Sequence, residues 1–152
     1  MLKINTILLT TDLSPTSGAA FEAATTLAEK FGAIIIVAYI EDDHYLNMVS
    51  DHVAVSMDVE QVWNVQHEMS KVRLADFVET HLPTKLEVIR EVRRGIPHVE
   101  IVRLAEDHHA DLIVMATHGR GFLSHAVLGS TTERVIRSAP CPVLSIRCCV
   151  TD

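Results

Sequence analysis

Residues 116 to 133 read Ala-Thr-His-Gly-Arg-Gly-Phe-Leu-Ser-His-Ala-Val-Leu-Gly-Ser-Thr-Thr-Glu. Gly119 and Gly121 let the backbone approach a ligand without Cβ interference. Gly129, Ser130 and Thr131 open a segment of helical pattern, whose first N–H groups lack partners and whose positive dipole end attracts an anion. Ser130, Thr131 and Thr132 add hydroxyl donors. Together these residue types can cradle a phosphate. The plain alternative is that the Ser and Thr residues cap a helix and the glycines only turn the chain. His118 and His125 flank the loop, where each could meet a phosphate or a divalent ion, or equally cap the loop or stack on a neighbour.

Other chemistries fit less well. A Walker A loop needs Gly-x-x-x-x-Gly-Lys-Ser/Thr, and no lysine follows Lys85, so efficient ATP hydrolysis is not expected. Gly119-Arg120-Gly121-Phe122-Leu123-Ser124 lacks the third glycine of a dinucleotide fingerprint and follows the fourth strand instead of the first. A phosphorylation-receiver domain needs an acidic pair, an acceptor Asp and a late Lys, of which only Asp12 is present. The nine histidines are scattered without metal-ligand spacing, and most are expected to be solvated. No Ser-His-Asp spacing announces a hydrolase, so no catalytic residue and no metal ligand is assigned. A net charge of −7, with Arg90, Arg93 and Arg94 as the one basic knot, argues against a nucleic-acid partner.

The elements that must position the loop follow from periodicity. Lys3 to Leu9 is a buried strand ending in Thr10-Thr11-Asp12. Ser14 and Pro15 start a helix of about fifteen residues that Gly32 ends. Ala33 to Ile40 is a second buried strand, and from about Asp51 to His81 apolar residues at threes and fours make a long helix stopped by Pro83. Leu86, Val88, Arg90 and Val92 alternate as an edge strand. A short helix around Val99 to Ala105, a strand from Asp111 to Ala116, a helix from Gly129 to Ser138 and a strand from Val143 to Arg147 complete the chain. Strict alternation implies right-handed crossovers, and hence one doubly wound α/β domain over residues 1–152: a five-stranded parallel sheet with four helices, its ligand beyond the carboxyl ends of the strands. The 152 residues suffice for one such core, and 48% hydrophobic with 22% charged residues excludes disorder. The longest apolar run, Ala33 to Ile40, is far short of a membrane span, and neither a membrane protein nor a secreted precursor is expected. Three cysteines bunched late in the chain indicate a reducing compartment, hence the cytoplasm. Cys148 and Cys149 read as incidentally exposed, and Cys141 as a small buried residue entering the last strand.

A Gly, nine residues, then Gly-Ser, after an apolar strand and before a helix and a Pro-Cys-Pro-Val-Leu strand, resembles the universal stress protein family. Thr10-Thr11-Asp12-Leu13-Ser14 resembles the same family's opening signature, and the likeness spans the whole chain. It implies a Rossmann-like fold of the adenine nucleotide alpha hydrolase kind and a stress-response sensor or regulator that binds ATP, or ADP or AMP, with or without magnesium. Asp12 would hydrogen-bond the adenine or its ribose. Thr10, Thr11 and Tyr39 would line the base pocket, with Met115 packing on the base. His118 adjoins this set, and Gly119, Gly129, Ser130 and Thr131 would receive ribose and phosphates.

The family's nucleotide binders carry a further Gly where this chain has Ala116. One added methyl there implies an overpacking cost of about 1–3 kcal/mol, or roughly 5- to 150-fold weaker binding. The resemblance also implies a homodimer through the last strand, whose Val143, Leu144 and Ile146 leave an apolar edge, and a protein partner whose identity the residues do not give. Two alternatives stand beside this reading: a dimeric adaptor of the same fold that binds no nucleotide, favoured by Ala116, and a weak ATPase, with hydrolysis at most slow.

Overall fold

A computed structural model describes residues 3–42, 59–117 and 128–147. Five strands, β1 (Thr6–Thr11), β2 (Ile34–Asp42), β3 (Val88–Gly95), β4 (Leu112–Ala116) and β5 (Val143–Ile146), alternate with four helices, α1 (Gly18–Phe31), α2 (Val59–His81), α3 (Pro97–Asp107) and α4 (Ser130–Ser138). Every strand pair is parallel and the spatial order is β3-β2-β1-β4-β5, so the winding reverses between β1 and β4. In such a sheet the diverging crossovers open a crevice at the carboxyl ends of these two strands. The expected architecture is therefore present, with β3 and β5 at the edges.

Alternation along each strand sorts side chains onto two faces. Ile7, Leu9, Ile35, Val37, Leu112 and Val114 pack against Phe21, Ala24 and Ala28 of α1 and Leu74 and Val78 of α2. On the other face, Leu8, Ile36, Ala38, Ile113 and Met115 meet Ile101, Leu104 and Ala105 of α3 and Val135 of α4. Strands covered on both sides are continuously apolar, which is why the runs at Ile7–Leu9 and Ile34–Ala38 carry no polar alternation.

Element ends differ from the sequence reading in instructive ways. The first strand continues through Thr10 and Thr11, both buried, because the ladder to β2 extends to Thr11 opposite Tyr39. Pro15–Ser17 is a separate 3-10 turn, and α1 begins at Gly18. Gly32 ends α1 as expected, in the left-handed conformation at φ 68°. The part of the long helix expected over 51–58 lies outside the described residues.

Two of the described histidines are less solvated than expected. His81 donates from Nδ1 to the Phe77 carbonyl at 2.8 Å and stacks on that ring at 4.1 Å, and His108 bonds Glu91 at 2.9 Å. The basic knot is also resolved: Arg93 pairs with Asp107 of α3 at 3.0 Å, while Arg94 turns to the opposite face. Cys141 is half-buried rather than buried. Its thiol is pushed up from the ordinary range, first by desolvation and then by Asp111.

Candidate functional site

The carboxyl end of β1 is built by hydroxyls and one carboxylate. Thr11 Oγ1 accepts from the Leu13 N–H at 2.9 Å and lies 3.0 Å from Ser17 Oγ. Because Ser17 commits its proton to the Ser14 carbonyl at 2.7 Å, Thr11 is the donor of the pair. Asp12 Oδ1 accepts from both the N–H and the hydroxyl of Ser14. This is an Asx turn, which a short polar side chain forms with backbone two residues on.

Two features of the turn are not explained by folding alone. Asp12 Oδ2 is buried and has no hydrogen-bond partner. A carboxylate oxygen in that state is costly, and in native structures it calls for a water, an ion or a ligand. No cation among the described residues pairs with Asp12. Leu13, between the two turn residues, sits at φ 61°. A left-handed backbone costs an ordinary L-residue about 1–2 kcal/mol, and such strain gathers at functional sites.

Across the crevice, α4 is fastened to the end of β4. The Thr117 N–H donates to Ile146 at 2.9 Å, the Gly129 N–H donates to the Thr117 carbonyl at 2.9 Å, and Thr132 Oγ1 donates to the Ala116 carbonyl at 3.2 Å. A Cβ on Gly129 would lie 2.7 Å from the Thr117 oxygen, too close for any side chain without movement. Gly129 is thus required by close backbone approach, and its N–H is occupied by Thr117. The Gly129 N–H, expected to reach phosphate, donates here to the Thr117 carbonyl. The donors left without an intrahelical carbonyl by helix geometry are the N–H groups of Ser130, Thr131 and Thr132. Ser130 is exposed, Thr131 is half-buried, and Thr132 is buried and holds the strand.

The other expected residues divide between the faces. Tyr39 and Ala116 pack beside the α1–α2 core, on the Thr11 side. Thr10 shares its face with Leu8, and Met115, only 4% exposed, is a core residue under α3 and α4. The Ala116 methyl lies against the α1–α2 core cluster. His118 and Gly119 lie outside the described residues, as do His125, Cys148 and Cys149.

Sequence reasoning missed a second polar cluster. Glu41, two residues beyond Tyr39 on the same face, is buried, with a side chain 1% exposed. His67 Nδ1 of α2 donates to its Oε2 at 3.0 Å, and Arg94 of β3 approaches the same oxygen at 3.6 Å. Arg94 also donates to the Trp63 carbonyl at 3.2 Å and lies over the Trp63 ring at 4.6 Å. Glu41 Oε1 and Arg94 Nε have no partner. The signal was a carboxylate closing a continuously apolar strand, in phase with Val37 and Tyr39. Among the described residues no group of three potential metal ligands occurs, and no helix is long and apolar enough to cross a membrane.

The fold and this crevice define a class, and comparison with known proteins gives it a family. A profile of the universal stress protein family matches residues 3–147. The chain belongs to the universal stress protein family. It is 34% identical over 145 residues to the universal stress protein MJ0531 of Methanocaldococcus jannaschii, covering 93% of this chain and 81% of that one. The solved structure of the hypothetical protein MJ0577 superposes with a TM-score of 0.80 at 28% identity, over 95% of this chain and 96% of that one. A universal stress protein solved in complex with cAMP shares the fold, at TM-score 0.61 and 21% identity, over 95% and 98% of the two chains.

Proposed function

We propose that this chain binds ATP or a related adenine nucleotide in the crevice between the ends of β1 and β4 and serves as a cytoplasmic stress-response sensor or regulator. The observation that carries the reading is the buried, unpartnered Oδ2 of Asp12 on a strained turn at the winding reversal. That oxygen needs a donor, which a ribose hydroxyl or the adenine amino group provides. The N–H groups at the start of α4 and the Ser130 and Thr131 hydroxyls suit the phosphates. Thr11 and Tyr39, neighbours in register, would flank the base, with Thr10 and Met115 supporting the strands beneath and His118 and Gly119 continuing the loop. A homodimer through the β5 edge at Val143, Leu144 and Ile146 completes the proposal. Hydrolysis is at most slow, because no side chain among the described residues at the crevice is assigned as a catalytic base.

Thermal unfolding with and without millimolar MgATP tests this reading. Ligand at about 100 times Kd adds roughly 2.7 kcal/mol, or about 5–11 °C for a chain of this size. The rise is expected in wild type and reduced in Asp12→Asn. No rise in either protein would leave the adaptor reading, in which Ala116 at the family's glycine position accounts for the missing ligand. ADP, AMP and cAMP in the same assay rank the nucleotides.

A further inference from the structure

Helix α2 is apolar on two opposite sides. Ser70, Leu74 and Val78 face the core, as helix packing on a sheet requires. Val65, Met69 and Val72 follow one another at four and three residues on the far side, and are 61%, 60% and 61% exposed. A helix needs one apolar stripe to dock on its own sheet, and the second stripe packs against no other described element of this domain. Singly exposed apolar residues need no explanation, but three in consecutive turns form a patch. The spacing is that of a coiled-coil seam with Val65 and Val72 at d and Met69 at a. Half-buried Val62 stands one a position earlier, and Asp76 ends the seam at the next.

The flanks decide what fits on this seam. Asn64, Val65, Glu68, Met69, Val72 and Arg73 together line an open groove. Glu68 lies along one side of the apolar stripe, at g, and Arg73 along the other, at e. Arg73 forms no ion pair with another described residue, whereas Glu68 reaches only Lys71, an exposed i,i+3 pair at 2.8 Å. Exposed pairs of that kind contribute little and are readily exchanged. Two copies of the helix side by side in parallel would place Met69 on Met69, Val72 on Val72, and Glu68 of each copy beside Arg73 of the other, twice. An antiparallel arrangement would instead bring Glu68 toward Glu68.

We infer that the far side of α2 is an interface for a second copy of this chain, two α2 helices pairing in parallel and in register through Val65, Met69 and Val72, with two Glu68–Arg73 ion pairs between copies. A stripe this short buries less than the roughly 1,200 Å² of a standard interface, so the association is weak and concentration-dependent. It is separate from pairing at the β5 edge, which would set a baseline mass common to all α2 variants.

Sedimentation equilibrium on the full chain over a range of concentrations tests the inference. Glu68→Arg and Arg73→Glu should each weaken association beyond that baseline by about 2- to 30-fold, from two lost exposed pairs per interface. The doubly reversed protein should regain wild-type association, which a change in folding would not produce. Met69→Glu should abolish it. With Cys141, Cys148 and Cys149 replaced by Ser, Val72→Cys should oxidise to a self-linked dimer. Single reversals that leave the mass unchanged, a double reversal no better than the singles, or cross-linking of Val65→Cys to Val72→Cys in preference to Val72→Cys with itself would overturn it.

Discussion

Asp12 and Glu41 end neighbouring strands, and each keeps one carboxylate oxygen buried and unpartnered. Their other oxygens are held differently. Asp12 is fixed by the N–H and hydroxyl of Ser14, neutral donors that orient the carboxylate without cancelling its charge. Glu41 is met by His67 and Arg94, which tie β2 to α2 and β3, with Arg94 supplying the opposite charge. A carboxylate held by neutral donors at a winding reversal can accept a ligand's donors, while one closed in by an imidazole and a guanidinium fastens elements together. The comparison therefore supports the proposed role of Asp12 in binding and sets Glu41 apart as a tie between elements.

The sharpest way to break that assignment is to remove the cation from Glu41. Arg94→Met should cost about 3 kcal/mol, since a buried charge loses a partner, and lower Tm by roughly 6–12 °C in a calorimetric scan. Adding Glu41→Met should recover most of the loss, because apolar groups of similar size often replace a buried ion pair at little cost. Next in size, Gly129→Ala should cost about 1–3 kcal/mol in chemical denaturation through the clash at 2.7 Å with Thr117, whether or not nucleotide is present. Thr132→Val should cost about 1 kcal/mol by the same measurement, from the lost bond to the Ala116 carbonyl. Asp12→Asn should change the stability of the free protein least, within about 0.5 kcal/mol, because the amide oxygen can keep the contact with Ser14. A large loss there, or none at Arg94, would reverse the roles.

Much of the fold was legible because buried parallel strands leave unmistakable runs: Ile34 to Ala38 and Leu112 to Ala116 could be placed almost to the residue. The edge position of β3 followed from the exposed phase of its alternation at Arg90. What escaped depends on the third dimension. Ser14 reads as a helix cap, yet its hydroxyl turns back to Asp12, since the Asx turn competes for the same group. Gly129 reads as a ligand contact, but the approach of the Thr117 carbonyl is a tertiary fact that no spacing reveals. Met115, expected to pack on the base, is only 4% exposed, on the face that strand alternation turns to the core. The pairing of Glu41 with His67, 26 residues away, had no local signal beyond a carboxylate at the end of an apolar strand.

Calorimetric titration of MgATP into wild type, Asp12→Asn and Glu41→Gln puts the central claim to its most direct test. Asp12→Asn should bind about 5- to 150-fold more weakly than wild type, as expected when a hydrogen bond to a charged acceptor worth about 1–3 kcal/mol is removed, while Glu41→Gln binds as wild type does. Equal affinity in wild type and Asp12→Asn, or a loss confined to Glu41→Gln, would contradict it.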